Sequence, residues 1–442
     1  MKLILPALAG LLLAACASPD PGARFAPVQS QTQSLLGKDL QWSRDDGQRA
    51  ALNARVTELL RAPLTPDAAV QIALLNQRSL QAQFQELGIA DAELVQASRL
   101  PNPGFTFARL RSGSELEIDR SFGLDLLHLI QLAPARQMAE LKLQQVQADT
   151  LLAVLDAAAR TRRAYWQALA AQDLLNYAEQ VEESASAGGE LARRAAKAGN
   201  FSAQRAAREQ AFATDAALGL ARAQNEAALS RETLRRELGL DQQSFSLPDH
   251  LPALPSQPRE FDAQALQQRV DVQAAQRAVE LSAKALGLSH VTGYVDVLEL
   301  GFQNNSRTGL PAQRGAELRL ELPLFDWGQA RSARAESVYR QSLDRAADTG
   351  LRAASELRAA QQRYRSAYAL AHSYADEVVP LRQQIAAENL LRYNGMLIGI
   401  FELLADAREQ VASVQAAIAA ERDFFLAESD LDHTLLGPAS SW

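Results

Sequence analysis

FGLDLLHLIQLAPARQMAE (residues 122–140) and LRLELPLFDWGQARSARAE (residues 318–336) say the same thing twice: alternating residues give way, within a few positions, to an Ala- and Arg-rich helical stretch. Their neighbours also recur in order. LQAQFQELG (80–88) returns as VQAAQRAVEL (272–281), and AKAGNFSAQRA (196–206) as RYNGMLIGIFELL (392–404). One unit of helix, strand, strand and long helical hairpin therefore spans Leu64 to Leu240 and recurs from Phe261 to Gly437, offset by roughly 195 residues. The expected domains are 63–240 and 261–437, joined by a Pro-rich linker at 241–260 and followed by a short tail at 438–442.

The alternating runs read as strands. ELEIDRSFGLDLL, from Glu115, sets Leu116, Ile118, Phe122, Leu124 and Leu126 on one face against Glu117, Asp119, Ser121 and Asp125, with Arg120 the exception. In the second copy Leu318, Leu320, Leu322 and Leu324 oppose Glu317, Arg319 and Glu321. Partner strands precede each, at Gly104 to Leu110 and Tyr294 to Phe302, giving two hairpins. Such hairpins fit a soluble sheet with one wet face, or a sheet whose apolar face meets lipid.

Between Pro134 and Pro248 there is no proline, and the Ala-, Leu-, Gln- and Arg-rich sequence breaks only near Gly188, Gly189 and Gly199, which predicts a helical hairpin. Its counterpart runs from about Gln329 to Tyr393, turns near Gly395 and Gly399, and returns to Leu436, with a kink expected at Pro380. A helix of about 60 residues is on the order of 90 Å long and cannot bury itself within one chain, so its small Ala-rich faces suit a larger array of helices. Before the first unit, LTPDAAVQIALL begins a helix with Thr65 as cap and Pro66 in the first turn. The fold class is mainly α with a small β part.

Forty-five Lys and Arg stand against 52 Asp and Glu with the signs interspersed, which disfavours nucleic acid as a partner. The five histidines are scattered, and no HExxH, Cys/His pair or Met-rich run supports a metal. GxSxG is absent (GLSHV, from Gly287, fails at its last position), as are a phosphate loop and an acid pair in an evident pocket, so no catalytic residue or cofactor is expected and the chain reads as a non-enzyme.

Lys2 precedes an apolar run from Leu3 to Ala15, too short to span a bilayer but suited to a signal-peptide core, so 1–15 is read as a leader. It closes on LAAC, ending at Cys16, the single cysteine. That ending resembles the bacterial lipobox, which implies lipidation of Cys16 and, with Ala17 rather than Asp in second place, the outer membrane. The bland alternative is an ordinary signal peptide with an incidental cysteine. Residues 16–62, without a sustained period, are expected to form an extended N-terminal segment.

Four strands cannot close a barrel, because the smallest outer-membrane barrels need about eight. Two chains would supply eight and three would supply twelve, and periodicity does not choose between them.

The duplicated order, LPLFDWGQARSARAE from Leu322 and YNGMLIGIFELLADAREQ from Tyr393 together resemble the TolC-type outer-membrane efflux channel family, in its lipoprotein branch, over essentially the whole stretch from Leu64 to Gly437. The resemblance implies a homotrimer in which twelve strands form an outer-membrane β-barrel and twelve helices a periplasmic α-barrel closed at its tip. It also implies a periplasmic adaptor and an inner-membrane pump as partners, outer-membrane lipid around the strands, and export of small molecules such as drugs or metal ions. An exit duct for protein secretion, or an envelope scaffold of coiled coil, remain alternatives. By the same resemblance the constriction falls near the tips of the hairpins. Tyr393 matches the tyrosine opening the second tip motif, and Glu402 a carboxylate that rings the pore. A further family acid falls on Ala405, with Asp406 beside it. An acid and an arginine that tie the archetype's tip shut fall here on Arg205 and Ile398, a redistribution of charge. Glu402 and Asp406 lie four apart on one helical face, as do Arg205 and Glu209, so opposite charges on adjacent helix ends can pair. Phe201, Leu397 and Ile398 are read as adaptor-facing or tip-packing residues.

Overall fold

The computed structural model describes residues 18–260, 263–292, 297–321, 325 and 327–439. Cys16 with its leader, Tyr294, Leu322 and Leu324 lie outside the described residues. In chain order the elements are α1 (Pro21–Leu36), α2 (Asp46–Leu59), α3 (Pro66–Asn76), α4 (Arg78–Ala97), β1 (Gly104–Ser112), β2 (Glu115–Asp125), α5 (Leu126–Lys197) and α6 (Ala203–Glu237). A 3-10 turn at Ala263–Gln268 leads to α7 (Val270–Thr292), β3 (Leu298–Arg307), β4 (Gln313–Leu320) and α8 (Gln329–His372), then a π-helical turn (Ser373–Val378), α9 (Val379–Asn394) and α10 (Ile400–Leu436). Two compact units are drawn from this chain. One takes its described residues from Met1–Val28, Gln83–Leu151 and Val270–Leu351, the other from Gln29–Ala82, Leu152–Arg269 and Arg352–Trp442.

In the first unit the strands form one antiparallel sheet of order β1-β2-β3-β4, so the two hairpins join through β2 and β3, where Phe122 faces Phe302 and Leu124 faces Leu300. The first half of α1, residues 21–28, belongs here too. Phe25 meets Phe84 edge-on at 4.9 Å, and Arg24 donates to the fully buried carboxylate of Asp91 at 2.8 Å.

The second unit holds a core in which Trp166 stacks on Phe425 at 4.4 Å and donates through Nε1 to Ser429 at 3.1 Å. Tyr165 donates to the Leu64 carbonyl at 2.9 Å, and its hydroxyl pKa is pushed up to about 12 by burial. Arg269, with a side chain only 1% exposed, reaches Glu356 at 2.9 Å and the Ala353 carbonyl at 3.3 Å. A buried guanidinium is stable only with such partners.

Several expectations are corrected. The 16–62 segment is not extended: it contains α1, whose first turn is capped by Asp20 Oδ1 (3.2 Å from Ala23 N), and α2, capped by Asp45 Oδ1 (2.7 Å from Gln48 N). Buried Phe25, Val28, Leu52 and Val56 stabilise these helices where local periodicity is faint. The helix beginning after Thr65, whose Oγ1 accepts from Ala68 N at 3.1 Å, stops at Asn76 and restarts at Arg78 because Gln77 is extended. There Asn76 Nδ2 donates to the Leu238 and Gly239 carbonyls, and Gln77 to that of Glu237, satisfying the end of α6. Gly239 turns at φ +67°, with Asn76 O only 3.0 Å from where a Cβ would sit.

Gly188 and Gly189 break nothing. Helix α5 runs through both, and Gly189 lets Ala213 of α6 approach to 3.1 Å of the missing Cβ position. The first tip turns only at Gly199, at φ +78°. At Pro380 the helix does not simply kink. Because a proline cannot donate to the carbonyl four residues back, the preceding turn widens to the π form, with Val379 N–H bonding Tyr374 O.

Candidate functional site

Cross-strand partners share a face of a sheet, so the register sorts the strands' side chains. One face collects Phe105, Phe107, Phe122, Leu124, Leu298, Leu300, Phe302, Leu318 and Leu320. Of these, Phe105, Phe107, Phe122, Phe302, Leu318 and Leu320 are 44% to 69% exposed, an uncovered apolar surface. Arg120 shares this face opposite Phe107, while Arg109 and Arg111 follow toward the turn at Gly113. The other face is polar. Glu117 pairs with Arg307 at 2.7 Å and Glu299 with Arg319 at 2.9 Å, and Gln303 donates to Glu317. Gly104, Gly123 and Gly301 stand in one cross-strand row on that polar face.

The helical tips carry the other candidate residues, all in the second unit. At the first tip Ser202 Oγ caps α6 by accepting from Arg205 N at 3.3 Å, and the Arg205 side chain is exposed. Phe201 is half-buried. The second tip closes with Leu397 N on Arg392 O and Gly395 N on Leu391 O, both at 2.9 Å, and holds Met396 at φ +58°. Leu397 is 74% exposed and Met396 92%, whereas Ile398 is buried. Of the apolar tip residues, Leu397 thus faces outward and Ile398 packs inward. Tyr393 is exposed at the end of α9, and Glu402 is exposed in the first turn of α10.

Glu402 and Asp406 follow one another along α10, but Asp406 accepts from Asn389 of α9. Glu209 is met from across the tip. Its side chain, 4% exposed, is held by Arg408 of α10 at 2.9 Å, and that guanidinium lies 4.5 Å over the Phe212 ring. Arg382 reaches Glu409 nearby. Arg408 and Asn389 were not among the residues singled out by sequence. A signal existed: Ala206, Phe212, Ala213 and Ala216 surround Glu209 at helical spacing, so its carboxylate had to be buried and needed a cation.

No protein-family model matches the sequence, and no curated protein matches it. Solved structures do resemble the fold. The outer membrane protein VceC from the bacterial pathogen Vibrio cholerae aligns with a TM-score of 0.70 at 16% identity, covering 88% of this chain and 97% of that one. The open state of the Neisseria gonorrhoeae MtrE outer membrane channel gives 0.71 at 17%, covering 84% and 88%. The Campylobacter jejuni CmeC outer membrane channel gives 0.66 at 14%, covering 90% and 89%. The chain has the TolC-type outer-membrane channel fold.

Within this channel fold the segment joining the two halves is tied down on both sides. Asp173 of α5 accepts from His250 Nδ1 at 2.9 Å and from Leu251 N at 3.3 Å, while Arg259 N donates to the Tyr364 hydroxyl at 3.0 Å. Hydrogen bonding to Asp173 raises the pKa of His250, and burial raises that of Glu421, with the Asp173 charge adding to it. His372 of α8 lies between the Asp376 carboxylate (2.8 Å from Nδ1) and the Pro255 carbonyl (3.0 Å from Nε2).

Among the described residues no group of three His, Cys, Asp or Glu side chains is gathered to hold a metal ion. No described helix is long and apolar enough to cross a membrane.

Proposed function

We propose that the chain is the outer-membrane channel of a tripartite efflux system, acting as a lipid-anchored homotrimer that carries small molecules outward from a periplasmic adaptor and an inner-membrane pump. The observation that carries this reading is the two-faced sheet: exposed Phe and Leu on one side, paired Glu and Arg on the other, and free edges at β1 and β4. Free edges in hydrocarbon leave backbone groups unsatisfied at several kcal/mol each, so copies of the chain close the sheet; the likeness to TolC-type channels makes that three chains and twelve strands, with the polar face inward. Arg109 and Arg111 then fall where the apolar band gives way to headgroups and water. Cys16 is the acylated anchor. Glu402 and Asp406 line the constriction with Arg205 offsetting their charge, Tyr393 stands at its rim, and Phe201, Leu397 and Ile398 belong to the end that meets the adaptor.

The test is reconstitution. Detergent-purified protein should run as a trimer and conduct in planar bilayers, and Leu320→Arg should impair assembly by about 2 to 4 kcal/mol where that position lies near the bilayer midplane. A monodisperse monomer in detergent-free buffer, or normal assembly of Leu320→Arg, refutes the reading.

A further inference from the structure

His372 faces two groups that offer only lone pairs. The Asp376 carboxylate approaches Nδ1 at 2.8 Å and the Pro255 carbonyl approaches Nε2 at 3.0 Å. A neutral imidazole carries one N–H and satisfies one of them; the imidazolium carries two and satisfies both. The position is also a junction. His372 closes α8 immediately before the π turn, Asp376 lies within that turn, and Pro255 belongs to the proline-rich segment that joins the two halves. One ring thus staples the connecting segment to the place where the second hairpin departs from regular helix. Tyr368 packs against the ring at 4.4 Å. The nearest charge on the segment, Arg259, is taken up by Asp432 at 3.1 Å and Glu428 at 3.6 Å on α10.

We propose that protonated His372 is a clasp holding the 252–260 segment on the π turn, and that deprotonation releases that segment. The sign follows from linkage. Hydrogen bonds to Asp376 and to the Pro255 carbonyl raise the His372 pKa above its ordinary 6.5 against a smaller effect of burial. The clasp is therefore complete below that ordinary value and lost as pH rises through the raised one. His250 holds the chain just before this segment to Asp173, with Asp249 and Glu421 nearby; it faces one acceptor, which a neutral ring with its proton on Nδ1 still satisfies, so deprotonation there removes the charge but not the bond.

Amide hydrogen exchange of peptides covering 252–260, in purified protein with exchange times corrected for intrinsic base catalysis, reads the clasp directly and independently of conduction. Protection should be roughly tenfold greater at pH 6 than at pH 8.5. His372→Gln, which cannot titrate, should abolish most of that difference. Asp376→Asn removes the largest cause of the raised pKa and should move the midpoint to lower pH. Equal protection at both pH values in the parent, a full difference retained in His372→Gln, or an unmoved midpoint in Asp376→Asn each overturn the proposal.

Discussion

Replacing Arg408 by Ala should open the tip. Glu209 of α6 is 4% exposed and Arg408 of α10 is 34% exposed, so the substitution strands a carboxylate that water barely reaches while removing a cation that water partly solvates. Breaking a fully buried pair costs about 3 to 5 kcal/mol. The partial exposure of Arg408 lowers this to roughly 1 to 1.5 kcal/mol, and loss of its contact with Phe212 adds about 0.5 to 1 kcal/mol, for about 2 kcal/mol in all. Because the pair joins the two hairpins, that energy falls on the arrangement in which α6 and α10 touch. A shift of about 2 kcal/mol is roughly a thirtyfold change in the ratio of open to closed channels. Single-channel recording in planar bilayers measures it as open probability. Glu209→Gln, which leaves a neutral amide, should be milder, and the double variant should resemble Arg408→Ala far more than the sum of the two. If Arg408→Ala conducts like the parent while the double-mutant cycle shows no coupling, the pair does not latch the tip.

Cys16→Ala should abolish incorporation of labelled fatty acid, and unchanged labelling would discard the lipoprotein reading. Because an inserted barrel anchors itself, some of that variant should still reach the outer membrane. Glu402→Ala should weaken cation selectivity and block by multivalent cations, since three like carboxylates around a pore concentrate cations. Arg205→Glu should raise conductance and admit large antibiotics in cells lacking the pump; parent-like behaviour of both variants would place the constriction elsewhere.

Period two in 115–125 and 317–320 was legible because one face of each strand is apolar and the other carries paired charge, although Leu126, read on the strand, opens α5; the long helices were legible because Pro and Gly are nearly absent from them. What escaped depends on partners distant in sequence. No breaker residue marks Gln77, whose extended backbone is held by amide bonds to the end of α6. Helices α1 and α2 are polar along much of their length and owe their order to burial against elements elsewhere in the chain. Gly188 and Gly189 read as breakers, yet Gly189 serves close helix packing. At the tip, charges four apart on one face suggested pairing between adjacent helix ends, and Glu209 is indeed met from another helix, but by Arg408, which that spacing did not single out. Helical spacing places a charge on a face but does not say which helix lies across from it.

The row Gly104, Gly123 and Gly301 crosses three adjacent strands with backbone pairing intact. Each glycine there forgoes roughly 0.5 to 1 kcal/mol that a residue with a side chain would contribute, yet a Cβ at any of the three would make no contact closer than 3.5 Å, so local crowding does not demand them. What the row removes is stiffness. Strands bend where no side chains on the concave side resist it, and glycine kinks are a recognised means of rolling a sheet toward closure. In the closed barrel proposed above, this bare stripe is where the four-stranded sheet is freest to curve, so filling it with Val should flatten the sheet and leave its free edges splayed apart.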